Sequence, residues 1–234
     1  MTENITENIT VFTHNSIWIM TGGEGAGNRN IYIDPFQMKT APKDADFILI
    51  THDHFDHFSP EDIEKVAGGH ATLVVPVKMR DKAQEAAKLV SRIVTVEPGK
   101  TYEVAAGNAV DEADGNPGDR LEFETVPAYN LLKPFHPKSA GWVGYILKIE
   151  GRRVYIAGDT DATKEAKAVK CDVALVPVGG TYTMDAKKAA ELVNDLQPAV
   201  AIPVHYGSVV GSPEDARIFA ANVKEPVKVE IKIP

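Results

Sequence analysis

The stretch Asp46–Phe58, "DFILITHDHFDHF", constrains this chain more than any other. An apolar run ends in His52, Asp53, His54, Asp56 and His57, three histidines and two aspartates within six residues. "ADFILIT" suits a strand buried on both faces. In an extended chain, residues i, i+2 and i+4 lie on one face, so His52, His54 and Asp56 point the same way as the strand frays. His57 comes from the turn that follows. Imidazole together with carboxylate suits zinc, manganese or iron, whereas oxygen-only sites suit magnesium or calcium. A zinc site with an open position takes three protein ligands plus water. Four ligand-type side chains exceed that need, so two adjacent divalent metals are expected, His52 and His54 on one, Asp56 and His57 on the other. A solvated polar loop before a helix is the bland alternative, and the demanding His-x-His-x-Asp-His spacing counts against it.

The flanking pattern reads as one α/β domain over residues 1–234. "ITVFTHNSIWIMTG" and "NIYIDPF" are strand-like, with "GGEGAGN" between them as a turn. Ser59 as N-cap, Pro60 at the first helical position and acids behind them start a helix that ends before Gly68-Gly69. "ATLVVPV" is a strand, "RDKAQEAAKLV" has helical spacing, and "IVTVEPGKTYEV" is a strand, a Pro-Gly turn and a strand. Residues 105–119, acidic and turn-rich, read as an exposed hairpin loop rather than a domain boundary, since strands continue on both sides. "RLEFETVPA", "GWVGYILKI" and "RRVYIAGDT" are strands, the last two joined by a short turn at Glu150-Gly151-Arg152. A short helix "ATKEAKAV", a buried strand "CDVALVPVGG" and a helix "DAKKAAELVNDL" stopped by Gln197-Pro198 follow. The chain closes with "AVAIPVHYG", a helix "SPEDARIFAANV" and a strand "VKVEIKI". The order strand, histidine, loop, Ser-Pro-Glu-Asp, helix occurs twice, around His52 and around His205. Each half thereby places histidine at the C-terminal end of a strand, where open α/β sheets bind ligands.

Composition narrows the classes. A formal charge of −8 argues against a broad nucleic-acid footprint, which needs clustered Lys and Arg. The single Cys171 excludes a disulfide framework and a thiolate cage and fits a reducing cytoplasm. It starts a buried strand, which makes it a poor nucleophile. The N-terminus lacks a basic and an apolar signal region, and no run approaches the roughly 20 apolar residues of a membrane span.

"THDHFDH", "YIAGDT" and "IPVHYG" together resemble the metallo-β-lactamase superfamily, in that family's order from Thr51 to Gly207. Taken alone, Asp159 is a turn residue or helix cap and His205 a structural histidine. The resemblance implies instead that Asp159 bridges both metals and that His205 completes the second site. It implies a four-layered αβ/βα sandwich, two mixed sheets face to face with helices outside. The sequence departs from the family at "VPAYN", where Tyr129 stands in place of a histidine of the first site. His136, seven residues on, is the substitute, binding either metal or substrate, with Asn130 or water as the remaining options. That departure resembles the branch holding ascorbate-6-phosphate lactonase and N-acyl-phosphatidylethanolamine phospholipase D. Asp34 in "IYIDPF" either orients a ligand from behind or is simply a turn residue. His14 and His70 are read as bystanders.

The expected function is a metal-dependent hydrolase with two zinc ions, or manganese or iron, acting on a small ester, lactone or phosphodiester. Two metals about 3.5–4 Å apart activate water without a Ser or Cys nucleophile. Asp56 would ligate and orient the water. Tyr129, His136 or Lys138 would protonate the leaving group or bind a small, anionic substrate, which Lys133 and Lys138 flank. The competing readings are a nuclease-type phosphodiesterase and a metal-binding protein without turnover. A flavin-linked role on this fold would bring an added domain, and none is visible.

Overall fold

The computed structural model describes residues 6–22, 29–107 and 120–233. Most of the expected turn "GGEGAGN" and of the 105–119 loop lies outside the described residues. The first half builds one sheet from β1 (Ile9–Thr13), β2 (Ser16–Thr21), β3 (Arg29–Ile33), β4 (Ala45–Leu49), β5 (Ala67–Pro76) and β6 (Arg92–Val96), neighbours in chain order. β1 to β3 pair antiparallel, and β3 to β6 pair parallel. The second half builds β7 (Thr101–Ala105), β8 (Arg120–Pro127), β9 (Val143–Ile149), β10 (Arg152–Ile156), β11 (Val173–Pro177), β12 (Val200–Val204) and β13 (Lys228–Val229) into a seven-stranded sheet. It repeats the plan: an antiparallel meander through β10, then parallel pairing to β13. α1 (Pro60–Val66), α2 (Lys164–Lys167), α3 (Ala186–Leu196) and α4 (Pro213–Asn222) lie in the crossovers between parallel strands.

Alternation along β4 accounts for the layers. Phe47 and Leu49 join the large core, with Ile17, Ile31, Phe123, Tyr145 and Ile156 from both sheets. Ile48 and Ile50 face the other way, into a smaller core with Ile63 and Val66 of α1. The expected run buried on both faces is therefore a strand between two cores, and the molecule is the αβ/βα sandwich. Fully burying a branched aliphatic side chain contributes roughly 1.5–3 kcal/mol, so this strand is held from both sides.

Two local expectations need correction. "RDKAQEAAKLV" forms a 3-10 turn at Lys82–Ala86, following another at Val77–Met79, and not an α-helix. Ala83 and Ala86 are buried three residues apart, a spacing that the threefold 3-10 turn stacks on one face. The closing strand pairs over Lys228–Val229 only, because the chain beyond turns toward the N-terminal segment, where Thr6 donates to Glu230 at 2.6 Å. The strand, Pro-Gly turn and strand around Pro98-Gly99 are present as expected, and the two strands belong to different sheets, so that turn carries the chain from one layer to the other. Among the described residues no helix is long and apolar enough to cross a membrane.

Candidate metal centre

Within each sheet the strands that end at one edge carry the polar residues. In the first sheet, β1 leads to His14, β3 to Asp34 and β4 to His52. In the second, β8 leads to the 128–142 loop, β10 to Asp159 and β12 to His205. These edges meet, and hydrogen bonds cross between them. Val143 N donates to Thr51 O at 3.1 Å and His205 N to His14 O at 2.7 Å. Tyr145 Oη donates to Ile50 O at 2.7 Å. Gly158, at φ 63°, lies so close to Thr51 that a Cβ would meet the Thr51 Cβ at 3.1 Å. Glycine there lets Asp159 approach the first motif.

Two groups of ligand-type atoms result, each within 4.8 Å of one another: His52, His54, His136 and Asp159, and His14, Asp56, His57 and His205. The split of His52 and His54 from Asp56 and His57 follows the sequence expectation, and His136 stands with the first pair. Asp159 spans both groups, with Oδ1 3.0 Å from His205 Nε2 and Oδ2 3.5 Å from His136 Nε2. Trp142 packs its ring against His52, His54 and His136 at centroid distances of 5.1, 5.0 and 4.6 Å.

Tyr129 needs correction as a site residue. Its hydroxyl donates to Glu165 at 2.7 Å, and that partner holds it in a separate cavity with Lys138 and Trp142. Lys138 pairs with Glu165 at 2.7 Å and Lys133 with Asp161 at 3.0 Å, so both expected substrate lysines are engaged. Asn130 donates to Tyr182 O at 2.7 Å, and its main-chain N–H to His136 O at 2.7 Å. It braces the loop that carries His136. His70 stays apart, 3.8 Å from Asp46. His14 is the main omission: it is no bystander, since its Nε2 lies 3.0 Å from Asp56 Oδ2. A lone histidine in a hairpin turn gives no periodic signal, so only the tertiary structure reveals that contact.

Asp34 sits behind the ligands. It accepts from Thr51 N at 2.8 Å, Thr51 Oγ1 at 2.6 Å, Asn15 at 2.7 Å and His57 Nδ1 at 2.7 Å. With Nδ1–H given to Asp34, His57 turns its Nε2 toward the centre; His52 does the same by bonding Thr51 Oγ1 through Nδ1 at 3.0 Å. Such orienting contacts fix tautomer and ring angle. Thr51 is a further residue that sequence reading missed.

The donor set fits a divalent cation. Buried His52 Nε2, His57 Nε2, Asp159 Oδ1 and both ring nitrogens of His136 and of His205 have no hydrogen-bond partner. A buried polar atom without a partner costs roughly 1–3 kcal/mol, and a cation held among these donors would supply partners to several of them at once. Protonation agrees. Burial pushes the imidazoles of His14 and His136 down to about 4, and His52 well below its ordinary value. Burial opposes ionisation of Asp159, yet His205 and His57 hold its carboxyl well below the ordinary range. Burial likewise opposes Asp56, but its hydrogen bond to His14 and the charge of His57 bring it to about 2. Neutral nitrogens and ionised oxygens are the ligating forms. His57 differs: burial lowers it, but Asp159, Asp34 and Asp56 outweigh that and raise it to about 9. A metal ion taking up its Nε2 displaces that proton.

The comparisons agree with this geometry. A family model described as "Beta-lactamase superfamily domain" matches residues 8–205. A protein of Aeropyrum pernix named "UPF0173 metal-dependent hydrolase" is 33% identical over 230 residues, 89% of each chain. One of that family from Pyrococcus abyssi is 32% identical over 222 residues, 89% of this chain and 91% of the relative. A solved metal-dependent hydrolase fold from Parabacteroides distasonis superposes with a TM-score of 0.71 at 27% identity, covering 97% of this chain and 93% of that one. The chain belongs to the metallo-β-lactamase superfamily, among its UPF0173 metal-dependent hydrolases.

Proposed function

We propose that this chain is a hydrolase with two metal ions that cleaves a small ester, lactone or phosphodiester. The observation that carries the reading is the convergence of two four-residue ligand groups on one cavity of about 450 Å3, lined by His54, Asp56 and Asp159. His52, His54 and His136 would hold one cation, Asp56, His57 and His205 the other, with Asp159 shared. Zinc is the first candidate, and the same donors accept manganese or iron. When bound, such cations lower the pKa of water from 15.7 toward about 7 and polarise a carbonyl or phosphoryl oxygen. Asp56, ionised and lining the cavity, orients the attacking water by accepting its hydrogen. His14 holds that carboxylate in place, and Asp34 holds His57.

A cavity of this size with Lys82 as its one lysine or arginine supports a small anionic substrate over nucleic acid, which needs a broad basic groove. The test is elemental analysis of zinc- or manganese-loaded protein, together with assays on bis-p-nitrophenyl phosphate and a lactone panel. Two metals per chain and turnover that disappears in His54→Ala are expected. Stoichiometric metal with no cleavage across the panel would instead favour metal binding without turnover.

A further inference from the structure

We infer that the substrate joins an anionic group, next to the bond that breaks, to an aromatic or medium-length alkyl arm; this rests on the hydrolase reading above. Asp53, His54, Asp56 and Asp159 supply the acidic and imidazole lining of the cavity, and Phe55, Phe135, Tyr182 and Val209 supply its apolar and aromatic lining. Phe55 is 66% exposed, Phe135 53% and Val209 37%, among only seven such large apolar side chains in the described residues. Leu131 and Leu132, two more of the seven, precede Phe135 in the same loop. Exposed apolar surface gathered around one opening marks a binding site, whereas scattered residues do not.

The rings are held rather than loose. Phe55 meets Phe36 edge-on at 6.1 Å, and Phe135 meets Tyr182 edge-on at 5.1 Å. An alkyl or aryl group entering between them loses water without first having to order the wall. The cation of this cavity is Lys82. Its Nζ donates to the main-chain carbonyl of Asp53 and stands 5.8 Å from the Phe58 ring centre. Lys133 and Lys138 already face carboxylates, so Lys82 remains to meet the charge of a substrate. A cavity lined by apolar side chains together with one lysine selects a molecule with both features.

The experiment uses metal-loaded protein and two pairs with a constant leaving group: p-nitrophenyl methyl and hexyl phosphate, and p-nitrophenyl acetate and hexanoate. The hexyl diester is expected to show a KM about tenfold below the methyl diester, the size of discrimination that an apolar pocket supplies. Phe55→Ala and Phe135→Ala shrink that preference, and Lys82→Gln raises KM for the hexyl diester more than for the neutral hexanoate. Calorimetry of hexylphosphonate against methylphosphonate reads the same preference without turnover. Equal KM and equal phosphonate binding for short and long arms overturn the inference. So does a loss that falls equally on both arms together with a changed sedimentation mass, which would make the rim a contact between copies. Failure to cleave any of the four substrates overturns the hydrolase reading instead, and phosphonate binding then decides this one by itself.

Discussion

His14, Asp34 and His205 have φ angles of 54°, 45° and 62°, in the left-handed region that costs an L-residue roughly 1–2 kcal/mol. All three lie where a strand turns into the metal centre, and each is pinned by hydrogen bonds across the fold. Such conformations persist where the surroundings over-determine them. His14→Gln is expected to weaken the cation beside Asp56 by about 10–100-fold, the usual effect of removing an orienting partner. Chelator competition on the purified variant checks this, and an unchanged affinity would reduce His14 to packing. At this scale the sequence was legible where ligands lie close together, as at His52, His54, Asp56 and His57. It was mute on His14 and Thr51, whose roles come from partners 42 and 17 residues away. Tyr129 misled for a related reason: chain position matched a family motif, while the ring turned toward Glu165.

Helix starts were the clearest elements. Ser59 caps α1 by accepting from Asp62 N at 3.2 Å, as the Ser-Pro-Glu-Asp pattern implied. The Asp62 carboxylate does more, accepting from Gln37 N, Met38 N and Ser59 Oγ, each at 2.9 Å, and pairing with Lys65 at 2.9 Å. Asp62→Ala should therefore cost about 2–3 kcal/mol at neutral pH, read as a lower urea midpoint. Burial pushes this carboxyl up, but its hydrogen bonds outweigh burial and lower its pKa on folding. A depressed pKa gives stability that is complete above the unfolded value of roughly 4 and is lost as pH falls through the folded one. The gap between wild type and variant should thus narrow on acidification. Gln197 ends α3 at φ 54°, so Gln197→Gly should add roughly 0.5–1 kcal/mol by relieving the left-handed strain, seen as a higher Tm. The 3-10 turns after β5 were not legible, because alanine-rich composition fits either helix and only the packed faces decide.

At the scale of the molecule, each sheet is a meander followed by parallel strands, and both deliver their polar ends to one seam. Local pattern located the strands, yet it could not say that β6 and β7 enter different sheets, since pairing partners are a property of the folded chain. Zinc should stabilise the protein strongly, because it satisfies buried atoms that otherwise have no partner. At a free concentration of about 100 times its Kd, the gain is about 2.7 kcal/mol, which calorimetry should record as a Tm rise that His205→Ala diminishes. A Tm indifferent to zinc would count against the centre.

The sheets also divide the candidate ligands. The strands through β6 carry His14, His52, His54, Asp56 and His57, and those from β7 onward carry His136, Asp159 and His205. Neither share completes either group, so a chain severed between Val96 and Thr101 would hold a cation firmly only after its two pieces had rejoined. The ion is then a clasp whose two jaws are separate stretches of polypeptide, and its capture reports that the jaws are aligned.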